Sequence, residues 1–186
     1  MSKFGNFLCS FFIFLGQGQL GAQLNVQTLT EFEGFETTFY SNVSGKPFIS
    51  LKYKSAERKR PKIGFLKFGM SFLEVKHLSA RLDLGNTEPE NLFSKWEKFL
   101  NQRAIRYATL EPVTLVIIDK MGNSFLLNAE KGKLSSSGKL VLWNNASIKT
   151  QGLIESFPRL SIYIDEPNNH LIIEKNKSDR INLLIR

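Results

Sequence analysis

Apolar and polar residues alternate with a period of two along most of the chain. In PFISLKYK, at 47–54, the apolar residues at 49, 51 and 53 lie on one face, opposite a serine and two lysines. This period is typical of β-strands that bury one face. We therefore predict a strand here and further strands over these segments: Phe35 to Tyr40, Phe65 to Met70, Phe72 to Leu84, Val113 to Ile118, Ser124 to Ala129, Lys139 to Ile148, Arg159 to Asp165, His170 to Lys175 and Ile181 to Ile185.

Short polar segments separate these strands, as in SGK at 44–46, MGN at 121–123 and DEPNN at 165–169. Turns of this composition join antiparallel neighbours. The chain is therefore expected to be mainly β, folded as an antiparallel meander, sandwich or jelly roll. In SFLEVKHLSARLDL the apolar residues change from odd to even positions between Val75 and Leu78, which predicts a bulge or bend there.

One segment follows a helical period instead. In NTEPENLFSKWEKFLNQRAIRY, apolar residues recur at 92, 93, 96, 99 and 100, and Thr87 with Glu90 forms a capping-box pattern. We predict an amphipathic helix over 88–104, inserted in a single β-rich domain that spans 24–186. The helix is expected to pack over a sheet face or barrel end, and the alternative is docking to a partner or a membrane surface.

The N-terminus has the layout of a secretory signal. Lys3 precedes an apolar run from Phe7 to Leu15, and small residues follow up to Ala22. We expect a signal peptide over 1–23 and export of the chain to the periplasm or cell envelope, with an N-terminal anchor in the inner membrane as the alternative. Cys9 is the only cysteine, so packing rather than disulfides must hold the exported domain together.

The formal net charge of +8 favours an anionic partner. Several of the basic residues cluster around Pro61 between two alternating segments, and they form either a solvated hairpin loop or a site for phosphate groups. The candidate anion-binding residues are Lys52, Lys54, Arg58, Lys59, Arg60 and Lys62. Nucleic acid is an unlikely partner because the nearby aromatic residues alternate like core residues.

Residues suited to catalysis are sparse. His77 and His170 are far apart in sequence, and no second ligand type lies at metal-binding spacing from either. No nucleophile elbow, zinc-protease, P-loop or dinucleotide fingerprint occurs. We therefore expect no enzyme activity, no cofactor and no metal.

The stretch GNSFLLNAEKGKLSSSGKLVLWNNASIKTQG, at 122–152, has apolar residues on both faces of its strands. Such strands need a cover on each face, from a sandwich core and a packed helix or from acyl chains. Together with FPRLSIYIDEPNNHLIIEKN, at 157–176, the stretch resembles the LptC/OstA-like family of lipopolysaccharide transport. The resemblance covers roughly 112–176, with a weaker likeness in GFETTFYSNVSGKPFISLKYKSAE at 34–57. The cleavable leader and the inserted helix depart from the family pattern and indicate a divergent member.

The resemblance implies a β-jelly-roll or β-taco domain that holds the acyl chains of a lipopolysaccharide-like glycolipid between sheet faces. It also implies OstA-like proteins and an ABC transporter as partners through pairing of strand edges. The candidate lipid-binding residues are Phe125, Leu127, Leu140, Leu142, Ile148, Leu160, Ile162 and Ile164. A closed core would contain the same residues.

The competing hypothesis is a secreted envelope module, with a binding or structural role, that contacts anionic glycans or partner proteins through the basic loop. A continuous apolar cleft would favour lipid transport, whereas a sealed sandwich would favour the module.

Overall fold

The computed structural model describes residues 31–41, 44–60, 62–63, 66–67, 71–86, 105–176 and 178–185. The predicted signal peptide at 1–23, the predicted helix at 88–104 and the turn at Pro61 lie outside these residues. The strands are β1 Glu31–Tyr40, β2 Pro47–Lys59, β3 Lys62–Ile63, β4 Leu66–Lys67, β5 Ser71–Asp83, β6 Ile105–Ile118, β7 Ser124–Ala129, β8 Lys131–Ser135, β9 Leu140–Thr150, β10 Leu153–Asp165, β11 His170–Glu174 and β12 Arg180–Leu184. The prediction of a mainly β fold is confirmed.

Ten of these strands form one sheet, in the order β1, β2, β5, β6, β7, β9, β10, β11, β12, and β8 pairs with both β6 and β9. Strands β3 and β4 form a separate hairpin. Among the described strands every pair is antiparallel except β5 with β6, which is parallel. The predicted hairpin of β10 and β11 is present, and a 3₁₀ turn over Glu166–Asn168 joins its strands.

A line of irregular positions crosses the sheet from β2 to β10, and we call it the crease. On β5, His77 has a φ of 53° and the inward-facing residues change from odd to even numbers, as the sequence predicted. On β9, Asn144 and Asn145 each have a φ of 56°. The crease also interrupts the regular pairing of β2, β6 and β10 with their neighbours.

The crease keeps apolar residues of both halves of the sheet on the same face. Below it, Val75 pairs in register with Ala56 and Leu110. Above it, Leu78 pairs in register with Val113. All five side chains line one pocket, although strict alternation along β5 would place Val75 and Leu78 on opposite faces.

Strand β8 comes close to the centre of the core through Gly132. A Cβ atom at this position would lie 3.0 Å from Val113 Cγ2 and 3.1 Å from Leu142 Cδ2. Gly132 therefore leaves room for its neighbours, which pack tightly over the backbone of β8.

We predict that Gly132→Ala destabilises the fold by about 1–3 kcal/mol, because a methyl group here overpacks the core. The entropic gain expected of a Gly→Ala change, about 0.4–1 kcal/mol, is smaller than this cost. The measurement is the urea midpoint of unfolding, with the exposed Ser156→Ala on β10 as the control. An equal or higher midpoint for Gly132→Ala would contradict the packing described above.

Candidate functional site

The concave face of the sheet encloses an apolar pocket of about 190 Å³, which we call the large pocket because 21 residues line it. Phe35 on β1 and Leu171 on β11 both line it, although these strands lie near opposite ends of the sheet. The sheet must therefore curl around the pocket. Of the 21 residues that line it, only Thr37, Tyr53 and Arg81 have polar side-chain atoms, so the pocket offers few hydrogen-bonding groups.

The large pocket has a buried floor and a partly exposed rim. The floor consists of buried apolar residues, which include Leu73, Val75, Leu110, Val113, Ile117, Ile162 and Leu171. The rim consists of half-buried residues on β1, β2 and β5, namely Thr37, Phe39, Ile49, Leu51, Leu78 and Ala80. The pocket is therefore accessible from the side of these three strands.

Tyr53 lies in the wall of the large pocket, next to Phe35, and the centres of the two rings are 5.1 Å apart. Burial raises the pKa of Tyr53 to about 12, because the phenolate would lose its hydration in this apolar wall. The neutral phenol is therefore the form that the folded protein favours.

A second pocket of about 250 Å³ lies on the part of the sheet formed by β7, β9 and β10, and we call it the side pocket. Its lining is more polar and comprises Asn123, Ser124, Phe125, Ile148, Thr150, Gln151, Glu155, Lys175 and Ile181.

The ammonium group of Lys175 is the charged centre of the side pocket. It lies 2.9 Å from Glu155 Oε2 and 3.7 Å from Asp179 Oδ2, and 5.3 Å from the centre of the Phe157 ring. The hydrogen bond to Glu155 raises the pKa of Lys175, so this ammonium group stays protonated.

The predicted lipid-binding residues are divided among three environments. Leu140 and Ile162 line the large pocket, while Phe125 and Ile148 line the side pocket. The remaining four belong to or pack against the core: Leu127, Leu142 and Leu160 are fully buried, and Ile164 is half-buried. The sequence left open whether these residues line an apolar groove or form a closed core. The sheet contains both an apolar pocket and a closed core, in different parts.

Most of the large pocket is lined by residues that the sequence did not assign to lipid binding. They lie on β1, β2, β5 and β6, except for Leu134 on β8 and Leu171 on β11. Their alternation was visible in the sequence, since positions 49, 51 and 53 were predicted to share a face. The sequence offered no sign that this face meets the one formed by β9 and β10.

The candidate anion-binding residues do not form one loop. Lys52, Lys54, Arg58 and Lys59 lie on strand β2, so the predicted basic loop is wrong for this part, and Arg60 is exposed directly after it. The side chain of Lys62 lies outside the described ones.

Alternation along β2 places Lys52 and Lys54 on the convex face, opposite Leu51 and Tyr53. Arg58 is the register partner of Leu73 and therefore lies on the concave side.

Two of the basic residues already have acidic partners on the sheet. Lys52 lies 3.3 Å from Glu36, and Lys59 lies 2.8 Å from Glu74. The hydrogen bond from Lys59, with a further one from Lys76, lowers the pKa of Glu74. These ion pairs neutralise part of the positive charge from which the sequence predicted an anion site.

The described part of the chain contains no group of three or more His, Cys, Asp and Glu residues arranged to hold a metal ion. Within the same residues, no helix is long and apolar enough to span a membrane. His77 lies on β5 at the crease, and His170 lies at the start of β11.

Comparison with protein-family models and with curated protein sequences finds no match to this chain. The resemblance to the LptC/OstA-like family therefore stays a prediction, and the function must be argued from the pockets.

We predict that Tyr53→Phe removes a tyrosine titration step near pH 12. A pKa near 12 in the folded state and near 10 in the unfolded state means that the contribution of Tyr53 to stability is complete below pH 10 and is lost as the pH rises toward 12. Between these pH values the wild type should lose about 2 kcal/mol more stability than Tyr53→Phe.

The measurement combines denaturant unfolding at several pH values with ultraviolet difference titration of the tyrosines. A variant that retains the step near pH 12 would show that the step belongs to another tyrosine.

Proposed function

We propose that this protein is a non-catalytic component of the cell envelope that binds an acyl chain of a lipopolysaccharide-like glycolipid in the large pocket. The observation that carries the proposal is the apolar lining of a pocket with a half-buried rim. The resemblance to the LptC/OstA-like family supports the glycolipid class and the location in the envelope.

The physical chemistry of the large pocket suits a hydrocarbon chain. Its volume of about 190 Å³ exceeds that of an engineered apolar cavity of about 150 Å³ that takes up benzene. Each methylene group transferred from water to such surroundings contributes about 0.8 kcal/mol. A ligand whose recognition depends on many hydrogen bonds would find only three side chains with polar atoms there.

The edges of the sheet offer a way to transfer the ligand to a neighbouring domain. Among the described strands, β1 and β12 each pair with one neighbour only, which leaves one backbone edge of each strand for another chain. We propose that a partner with an exposed strand, such as an OstA-like protein, adds to one of these edges. The pocket would then continue into the next domain.

The alternative of a module that binds anionic glycans has weaker support. The acidic partners of Lys52 and Lys59 occupy cations that such a module would present to its ligand. The binding of anionic glycans would also give the apolar pocket no role.

We predict that Ala80→Trp blocks the large pocket. Ala80 is a half-buried rim residue, and a large ring there would occupy the space of the acyl chain. Binding of dansyl-undecanoic acid, followed by the fluorescence of the dansyl group, should weaken at least about tenfold relative to the wild type, which corresponds to the loss of about two buried methylene groups.

The neighbouring Ser79→Trp is the matched control, because residue 79 is exposed and lies on the opposite face of β5. It should bind the probe as the wild type does, and thermal unfolding should show that both variants are folded. If the wild type does not bind the probe, or if both variants bind it equally well, acyl-chain binding in the large pocket is wrong.

A further inference from the structure

The large pocket and the side pocket are neighbours on the same face of the sheet. Ile117 lines the large pocket, its register partner Phe125 lines the side pocket, and Phe125 in turn pairs with Thr150. Register partners on antiparallel strands lie side by side on one face, about 5 Å apart. A continuous row of side chains therefore leads from the hydrocarbon environment to a polar one.

A second row runs parallel to the first. Leu115 of the large pocket pairs with the buried Leu127, which pairs with Ile148 of the side pocket. Ile148 pairs with Glu155, the carboxylate that binds Lys175. Both rows change from apolar to polar in the same direction, which is the pattern that an amphiphilic ligand requires.

The side pocket has hydrogen-bonding groups that the described part of the chain does not use. The Thr150 hydroxyl makes no hydrogen bond to the described residues, and Glu155 contacts Lys175 through Oε2 alone. A hydroxyl can donate to the remaining carboxylate oxygen and accept from Thr150. Groups rich in hydroxyls therefore match this part of the wall.

The charges of the side pocket oppose a phosphate group. Lys175 is balanced by Glu155 and by Asp179, so these three groups together carry one net negative charge. An anion would have to displace a carboxylate from its ion pair with Lys175, whereas an uncharged group can bind without breaking this pair.

We propose that the side pocket is the head-group subsite of the same ligand and that it takes an uncharged, hydroxyl-rich group of the sugar class. This inference rests on the proposed function, because it requires an acyl chain in the large pocket. The phosphates of a glycolipid then lie outside the side pocket.

The test compares two ligands with the same ten-carbon chain, decyl maltoside and decanol, below the micellar concentration of the maltoside. Affinities are measured by displacement of dansyl-undecanoic acid from the wild type, Thr150→Val and Thr150→Ser. Valine keeps the shape of threonine and removes the hydroxyl, while serine keeps the hydroxyl.

Thr150→Val should bind decyl maltoside about fivefold more weakly than the wild type, as expected for the loss of one hydrogen bond. Its affinity for decanol should not change, and Thr150→Ser should retain most of the maltoside affinity. Equal affinity of the wild type and Thr150→Val for decyl maltoside would overturn the head-group subsite while acyl-chain binding stands. Failure of the wild type to bind decanol would instead refute the proposed function.

Discussion

The pocket depends on a change of side-chain orientation that occurs at the same level in several neighbouring strands. In a regular sheet the side chains alternate between faces, so the apolar residues above and below the crease would lie on opposite faces. The irregular backbone around His77 on β5 and around Asn144 on β9 shifts the alternation. The apolar residues on both sides of the crease therefore lie on the same face. Because each strand hydrogen-bonds to its neighbours, the irregularities must align across the sheet. An isolated irregularity in one strand would leave backbone groups unpaired in a buried position.

The sheet contains a densely packed part and a more accessible one. In the packed part, Ile117 and Leu127 above the crease and Leu142 and Leu160 below it are all fully buried. The rim residues of β1, β2 and β5 are only half-buried. Local stability follows the number of buried apolar contacts, so the packed strands are expected to hold the fold and the rim strands to be less stable. One sheet therefore contains both a closed core and a partly exposed apolar surface.

The sequence predicted the features that depend on local patterns. Alternation and turn composition identified the hairpin of β10 and β11, and the change of parity between Val75 and Leu78 identified the irregularity on β5. The sequence did not predict β8, whose KGKLS pattern has too few apolar residues, nor the parallel pairing of β5 with β6. Only Leu140 and Ile162 of the predicted lipid-binding residues line the large pocket. Periodicity shows which residues share a face, but tertiary packing decides which faces meet.

The partial exposure of the rim is the strongest reason to regard the concave face as a binding surface. Phe39, Ile49 and Leu51 lie together on β1 and β2, and complete burial of each side chain would lower the free energy of the system. The buried floor shows that the same sheet can shield apolar side chains from water where it curls tightly. A contiguous apolar surface that stays accessible in a folded chain is characteristic of sites that bind a further molecule. A hydrocarbon chain would cover the rim without requiring hydrogen bonds, whereas a polar ligand would have to lose its hydration there with little compensation.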